Sequence, residues 1–466
     1  MLIQFSVENF LSFKDKTIFS FLAAKEDTHP THIVTHEKPL QRRLVRATAL
    51  YGANASGKSN IIKAIQFARD FILNGTQAGE AIPVSPFKLV SEPKPNSRFQ
   101  FDFLYQEKEY SYGFTLNSSR VAEEFLYANE KGREAKYFER VTSEESKTDA
   151  EFGTSLTKGN RRKGSFLRYK AEDTRSNQLL LTAIFEGNIK ERVEELLPVW
   201  SWFTSVLTII EAEPTANHLI AGLHRIGPLK EYASRILSSI DTGIHAVDTR
   251  ESKLDLNLLP NLPEELVNEL REDMKASQDK KETGRSIEIH AGGLPLITLL
   301  PNKEGEFVTI ELLLKHIGEE GQHFNFDFGE ESDGTQRVLN LTPMLFSSSE
   351  GREKVYVIDE IDRRLHPHIS RLIIQTMLGC KGNTQLLFTT HDTNLLDLDL
   401  LRRDEIWFVE KDKEGSSHLY SLAEFKVRPD LQIEKGYLNG RFGAIPFLGD
   451  IERLALPLEA QEPIHA

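Results

Sequence analysis

The sequence predicts an α/β fold: a mixed sheet with helices, built from both ends of the chain and interrupted by an inserted helical subdomain. Three observations predict it. A short apolar run at residues 44–51 leads into Gly52-x-x-x-x-Gly57-Lys58-Ser59 and then into a stretch of helical spacing. Far downstream, two further apolar runs end in Asp359-Glu360 and near His391. Between them, apolar residues over 176–240 recur at helical intervals.

The first of these is the P-loop pattern, and its spacing has a physical reason. Glycines let the backbone turn tightly about an anion, so that successive N–H groups point inward; a lysine reaches the β- and γ-phosphates, and a hydroxyl ligates Mg²⁺. The candidate ATP-binding residues are Gly52, Ala53, Asn54, Ala55, Ser56, Gly57, Lys58, Ser59 and Asn60, and Ser59 is also a candidate Mg²⁺ ligand. The context agrees. LVRATALY suits a buried strand, and Ile61, Ile62, Ala64, Ile65, Ala68 and Phe71 follow at helical spacing.

Composition narrows the class. The length suits about two to four structural units, and 39% hydrophobic against 27% charged residues is the balance of a soluble globular chain. Lys+Arg 57 against Asp+Glu 70 gives a net charge of −13, so no global basic field recruits nucleic acid, which leaves only a local basic groove for that role. The single cysteine, Cys380, excludes an internal disulfide and a cysteine-rich metal site and suits a reducing compartment. No run approaches the roughly 18 apolar residues that span a bilayer. The start, MLIQFSVENFLSFKDK, alternates like a strand and lacks the features of a signal peptide. The expected location is cytoplasmic, with no membrane partner.

In chain order, residues 2–7 and 16–22 read as strands around a turn. His29, His32 and His36 cluster in THPTHIVTH, but without an acidic or cysteine partner nearby a polar loop outweighs a metal site. Pro83, Pro86, Pro93 and Pro95 mark a loop, residues 99–116 alternate as a β-hairpin or meander, and 120–130 continue it. Residues 131–175 are polar and poor in apolar periodicity. Within them Arg161, Arg162, Lys163, Arg168 and Lys170 interleave with Phe166 and Tyr169. Such a patch can grip nucleic acid through phosphate neutralisation and stacking, and more often is a solvated loop. Helical spacing then runs through 177–187, 191–210, 231–240 and 262–280 without sustained heptads, and strands resume over 285–312. The expected division is 1–125 for the first half of the head, 126–290 for the helical insertion, and 291–466 for the second half with a short tail.

VYVIDEID (355–362) reads as a buried strand ending in a Walker B pair, with Asp359 aimed at the Mg²⁺ region and Glu360 able to orient or deprotonate an attacking water. Upstream, Ser332, Gly334 and Thr335 precede a helical pattern; a turn at a helix N-terminus is a second anion site, and the plainer alternative is an ordinary cap. LLFTTHD (386–392) is another buried strand, and His391 at its end can touch a γ-phosphate or be a strand-end histidine. The expected catalytic set is Lys58, Glu360 and His391, with Ser59 and Asp359 on the metal.

In this order the motifs resemble those of the ATP-binding-cassette (ABC) ATPases, specifically the SMC- and RecF-like branch. There GxNxSGKS, an SxG signature, a Walker B Asp-Glu, a D-loop and a switch histidine recur. The resemblance implies a split ABC-type head and a site shared by two copies in a homodimer or higher homo-oligomer. Gly52, Asn54, Gly57, Lys58, Ser59, Asp359, Glu360 and His391 would act in cis, and Ser332, Gly334 and Thr335 in trans, with Asp362 at the dimer seam. The family's Q-loop glutamine has no evident counterpart; Gln100 and Gln106 are the candidates.

FSVENFLSF, YGANASGKSN, ESDGTQR, DEIDRRLHP, FTTHDTNLLD and KGYLNGRFGAIPF further resemble stand-alone bacterial ATPases of phage-defence loci, over roughly residues 1–125 and 290–447. These include the RloA- and AbiL-type abortive-infection ATPases and the ATPase subunit of PARIS systems. The resemblance implies a slow ATPase that senses a phage-derived trigger and controls a separately encoded nuclease effector. Related overcoming-lysogenisation-defect nucleases append a Toprim domain, and the residues after His391 hold no such carboxylate set. A DNA-repair ATPase acting directly on DNA and a non-catalytic ATP-gated scaffold are the competing readings.

Overall fold

The strand Ala47–Tyr51, buried at every residue, lies inside a six-stranded sheet. The order across that sheet is Leu207–Ile210, Val355–Ile358, Gln385–Thr389, Ala47–Tyr51, Ile406–Lys411 and Ser417–Ser421. The first five run parallel and the last antiparallel, so the sheet is mixed. The computed structural model describes residues 1–445 apart from 38–39, 91–94, 131, 146, 158–160, 187–192, 213–218, 255–286, 292–293, 303–305 and 427–431. VYVI and QLLFT are wholly buried as well, the unbroken apolar pattern expected where both faces of a parallel sheet are covered.

One face is covered by the helix Lys58–Asn74 and, beyond it, a seven-stranded antiparallel sheet. That second sheet contains the expected N-terminal pair, Leu2–Glu8 with Thr17–Ser20, and the expected meander, Ser97–Tyr105, Lys108–Leu116 and Val121–Glu130. Phe5, Phe99, Phe101 and Phe103 meet Ile61, Ile65 and Ala68 of the helix and Val355, Val357 and Leu387 of the parallel sheet in one core. The opposite face packs Tyr356, Ile358 and Phe388 against Leu341, Met344 and Leu345 of the helix Asp333–Ser349, and against Ile373, Ile374 and Met377 of Pro367–Gly379. The helix Asp333–Ser349 also sends Val338, Leu339 and Phe346 into a third core, shared with Leu219–Arg225, Gly227–Ser239 and strand Ile244–Lys253.

The middle of the chain differs from its sequence reading. The stretch 131–175, expected to lack pattern, forms strands Arg133–Thr142 and Thr148–Phe152 at the edge of the antiparallel sheet, then the helix Arg161–Asp173. The strand signal is hidden because buried Arg140 sits where an apolar residue would be expected; it pairs with buried Glu124 at 3.4 Å. The end of the helix expected over 191–210 is instead the strand Leu207–Ile210, whose β-branched Thr208, Ile209 and Ile210 suit a sheet. The segment expected as a helical insertion thus carries strands as well as helices among its described residues. The helix expected at 262–280 lies outside the described residues. Strands do resume, as Ile287–Ala291, Leu294–Pro301 and Phe307–Ile317. No helix among the described residues is long and apolar enough to cross a membrane.

Candidate nucleotide site

Parallel strands deliver the residues that follow them to one edge of the sheet, the edge where α/β proteins bind ligands. Here that edge receives the P-loop after Tyr51, Asp359 and Glu360 after Ile358, and His391 just after Thr389. The sheet order brings together residues that are remote in sequence.

The P-loop enters the helix Lys58–Asn74 through Gly57, whose φ of 115° is one that L side chains rarely adopt. A Cβ at Gly57 would collide with Ser12 Oγ and Ser417 Oγ. Those two serines brace the loop from outside: Ser417 Oγ donates to Ser56 O at 2.5 Å and lies 2.8 Å from Ser12 Oγ, and Asn60 Nδ2 donates to Ser12 Oγ at 2.7 Å. Lys58 is buried and donates to Gly52 O at 2.8 Å and Ala53 O at 3.1 Å, while Asn54 and Ala55 are exposed at the tip. Burial lowers the Lys58 pKa, opposed by the nearby carboxylates of Asp359, Glu360 and Asp362. Among the described residues, buried Ser56 Oγ has no hydrogen-bond partner. A tight cradle, a retracted ammonium group and an unpartnered hydroxyl fit a phosphate.

Ser59 Oγ donates to Asp359 Oδ1 at 3.1 Å, and Thr389 Oγ1 donates to the same oxygen at 2.5 Å. The Thr389 hydroxyl also accepts from Glu360 N at 2.7 Å. A hydroxyl beside a carboxylate is the hard-oxygen donor set that suits Mg²⁺. Glu360 holds a φ of 47°, uncommon for a residue with a Cβ, and Arg363 Nη1 lies 3.4 Å from its Oε2. Asp362 Oδ2 accepts from His391 N at 3.3 Å, and its buried Oδ1 has no hydrogen-bond partner among the described residues. Although His391 keeps solvent contact, partial desolvation and the Lys58 charge lower its pKa against the pull of Asp362, Glu360 and Asp359.

The turn of Ser332, Gly334 and Thr335 is an N-cap: Ser332 Oγ accepts from Thr335 N at 3.2 Å. Ser332 is exposed and Thr335 buried. The turn leans on the segment after Glu360, with Asp333 paired to Arg364 at 3.0 Å and a Cβ at Gly334 placed 2.9 Å from Arg364 O. Among the described residues its contacts run to that segment of its own chain and not to the P-loop.

Other sequence candidates lie elsewhere. Gln100 bonds Asp102 and Ser111 within the antiparallel sheet, and Gln106 sits in the turn that follows. His29 contacts Leu398 O at 2.6 Å, His32 pairs with Glu405 at 3.0 Å, and His36 meets Met1 Sδ at 3.3 Å; no metal-holding group of three occurs among the described residues. The basic segment is a helix and not a loop, exposing Arg162, Arg168 and Tyr169 while Lys163 pairs with Glu195. Sequence reasoning missed Ser12, Ser417, Thr389 and Arg337. Arg337 stood inside ESDGTQR, Thr389 inside LLFTTHD and Ser12 inside FSVENFLSF, and only Ser417 lay outside every recognised motif.

A P-loop joined through a parallel sheet to an Asp-Glu strand end defines a nucleotide-binding protein of the P-loop ATPase class. The chain belongs to the family described as "AAA domain, putative AbiEii toxin, Type IV TA system", whose model matches residues 47–397. No curated protein matches the sequence. Among solved structures it is similar to an SMC head domain from Thermotoga maritima, at 14% identity and TM-score 0.36 over 91% of this chain and 99% of that one. It is also similar to an SmcHead crystallised with the C-winged helix domain of ScpA, at 12% identity and TM-score 0.40 over 90% and 97%.

Proposed function

We propose that this protein hydrolyses Mg-ATP slowly and uses the nucleotide as a conformational gate in a bacterial anti-phage system, controlling a separately encoded nuclease. The observation that carries the catalytic part is the cluster in which Ser59 and Thr389 both bond Asp359 while Thr389 holds the amide of Glu360. Bound Mg-ATP would supply the phosphoanhydride and a cation to screen its charge. Lys58 and the amides of Gly52–Ser59 bind phosphate, Ser59 and Asp359 hold the metal, and Glu360 accepts the proton of an oriented water. His391, kept neutral by its lowered pKa, can hydrogen-bond near the same point.

The family description, with its toxin wording, supports the defence role. The exposed Ser332 turn supports a homodimer in which Ser332, Gly334 and Thr335 reach the nucleotide of a second copy. A repair ATPase acting on DNA is the second reading, favoured by exposed Arg162, Arg168 and Tyr169 on one helix. The test is a pull-down of tagged Glu360→Gln protein expressed with its neighbouring genes, read by mass spectrometry, with ATPase assays in the presence and absence of DNA. A stoichiometric nuclease supports the defence role. Recovery of the ATPase alone, with hydrolysis stimulated by DNA, replaces it with the repair reading.

A further inference from the structure

Arg337 follows the Ser332–Thr335 turn by half a helical turn, and its side chain is 1% exposed. Among the described residues, its guanidinium does not end on a carboxylate. Nη1 donates to Glu211 O at 2.8 Å, and Nη2 donates to Asp359 O at 2.8 Å and Glu360 O at 2.9 Å. Those carbonyls close the ends of the neighbouring parallel strands Leu207–Ile210 and Val355–Ile358. Burial draws the Arg337 pKa down to about 10, while Asp362, Asp359 and Glu360 help retain its charge.

A buried guanidinium is a costly way to fill space, because an apolar side chain of similar volume would avoid its desolvation. What an apolar residue could not do is orient three main-chain oxygens at once. One of them belongs to Glu360, whose left-handed backbone is held from the other side by the Thr389 hydroxyl on its amide. A strained backbone persists only where its surroundings over-determine it. The same helix begins at the turn that touches Arg364, just beyond Glu360.

We propose that Arg337 is a positioning residue: it holds the Glu360 turn in its working conformation and ties that conformation to the seating of the Ser332–Thr335 turn at the start of its helix. This rests on the hydrolytic reading of the site given above. Phosphate binding is served by the P-loop and is independent of Arg337. Release of the carbonyls lets the Glu360 backbone relax and carries its carboxylate away from the water it should deprotonate.

The experiment compares wild type, Arg337→Lys, Arg337→Gln, Glu360→Gln and the Arg337→Lys/Glu360→Gln double variant. Steady-state hydrolysis, binding of a fluorescent ATP analogue and thermal melting are measured on each. Lysine keeps the charge without the fork, and glutamine removes the buried charge while keeping an amide donor, so a folded variant is available by either route. The expected result is a kcat lowered by about tenfold to a hundredfold, KM and analogue affinity within about threefold of wild type, and no further loss in the double variant. Wild-type kcat in a folded Arg337 variant overturns the proposal. So does a double variant whose losses multiply, because Arg337 would then act independently of Glu360. A wild-type protein that binds the analogue and does not hydrolyse ATP overturns the hydrolytic reading itself, and this inference with it.

Discussion

Ser59 Oγ donates a 3.1 Å hydrogen bond to Asp359 Oδ1, linking residues 300 positions apart in sequence. The contact exists because the strand before Ser59 and the strand before Asp359 flank the same neighbour, Gln385–Thr389, in parallel register. That middle strand contributes the second hydroxyl on the same oxygen, from Thr389. Three strand ends thus fix one carboxylate, one of them from the opposite end of the chain. Loop braces from Ser12 and Ser417 extend the pattern: each part of the site is held by a distant part of the chain.

Lys58→Ala should lose nucleotide, not fold. Among the described residues the Lys58 ammonium bonds two loop carbonyls, so the melting temperature should change little. Losing the charged bonds to phosphate should weaken ATP binding by about a hundredfold or more, by titration with a fluorescent analogue. Glu360→Gln should bind ATP normally, lose about a hundredfold or more in turnover, and accumulate a dimer by size-exclusion chromatography in ATP. Wild-type turnover in that variant would remove Glu360 from the mechanism.

Thr389→Val deletes one hydroxyl at nearly constant shape. It leaves Glu360 N without its 2.7 Å partner and, among the described residues, removes one of the two bonds on Asp359 Oδ1. The expected cost is about 1–3 kcal/mol of stability, from chemical denaturation, together with a clear loss of turnover. Thr389→Ser should restore both. A valine variant with wild-type turnover would show that the Glu360 amide needs no anchor.

What could be read from the sequence was what is written contiguously. The P-loop, the Asp-Glu strand end and the histidine after LLFTT each carry their signal within a few residues. Three of the five parallel strands, Ala47–Tyr51, Val355–Ile358 and Gln385–Thr389, stand out because both their faces are buried, leaving apolar runs with no alternation. Leu207–Ile210 reads as helix in the sequence because its four residues continue an apolar stretch in which periods of 2 and 3.6 cannot be told apart. Arg337 and Thr389 were missed for another reason. Their partners, the carbonyls of Glu211, Asp359 and Glu360 for Arg337 and the Glu360 amide and Asp359 carboxylate for Thr389, lie between 22 and 126 residues away, and no local pattern encodes them.

Arg140→Ala should be among the most damaging changes outside the site. Arg140 and Glu124 are both fully buried, and Arg140 also donates to Gln178 O at 2.6 Å and Arg175 O at 3.0 Å. Glu124 accepts from Leu180 N at 2.6 Å, Leu181 N at 3.0 Å and Tyr112 Oη at 2.9 Å, pinning the helix Leu180–Phe185 to the antiparallel sheet. Removing the cation strands a buried carboxylate, at a cost of about 3–5 kcal/mol by urea denaturation. The double change Arg140→Met with Glu124→Gln should recover part of it, since neither charge is then left alone. Full stability in Arg140→Ala would mean that the backbone bonds to Glu124 suffice to hold its charge.

The lowered pKa of His391 sets a direction for pH dependence. The unfolded histidine titrates near its ordinary value of about 6.5, and the folded one titrates below it because of desolvation and the Lys58 charge. Between the two values the unfolded chain holds more protons than the folded chain. The His391 contribution to stability is therefore complete above about pH 6.5 and is lost as the pH falls toward the folded value. Thermal melts of wild type and His391→Gln across this interval should diverge, the wild type losing more stability on acidification. Lys58→Met should narrow that divergence by removing the repelling charge. If the two melting curves instead stay parallel through the acid range, the imidazole does not feel Lys58, and His391 stands too far from the loop to meet a phosphate there.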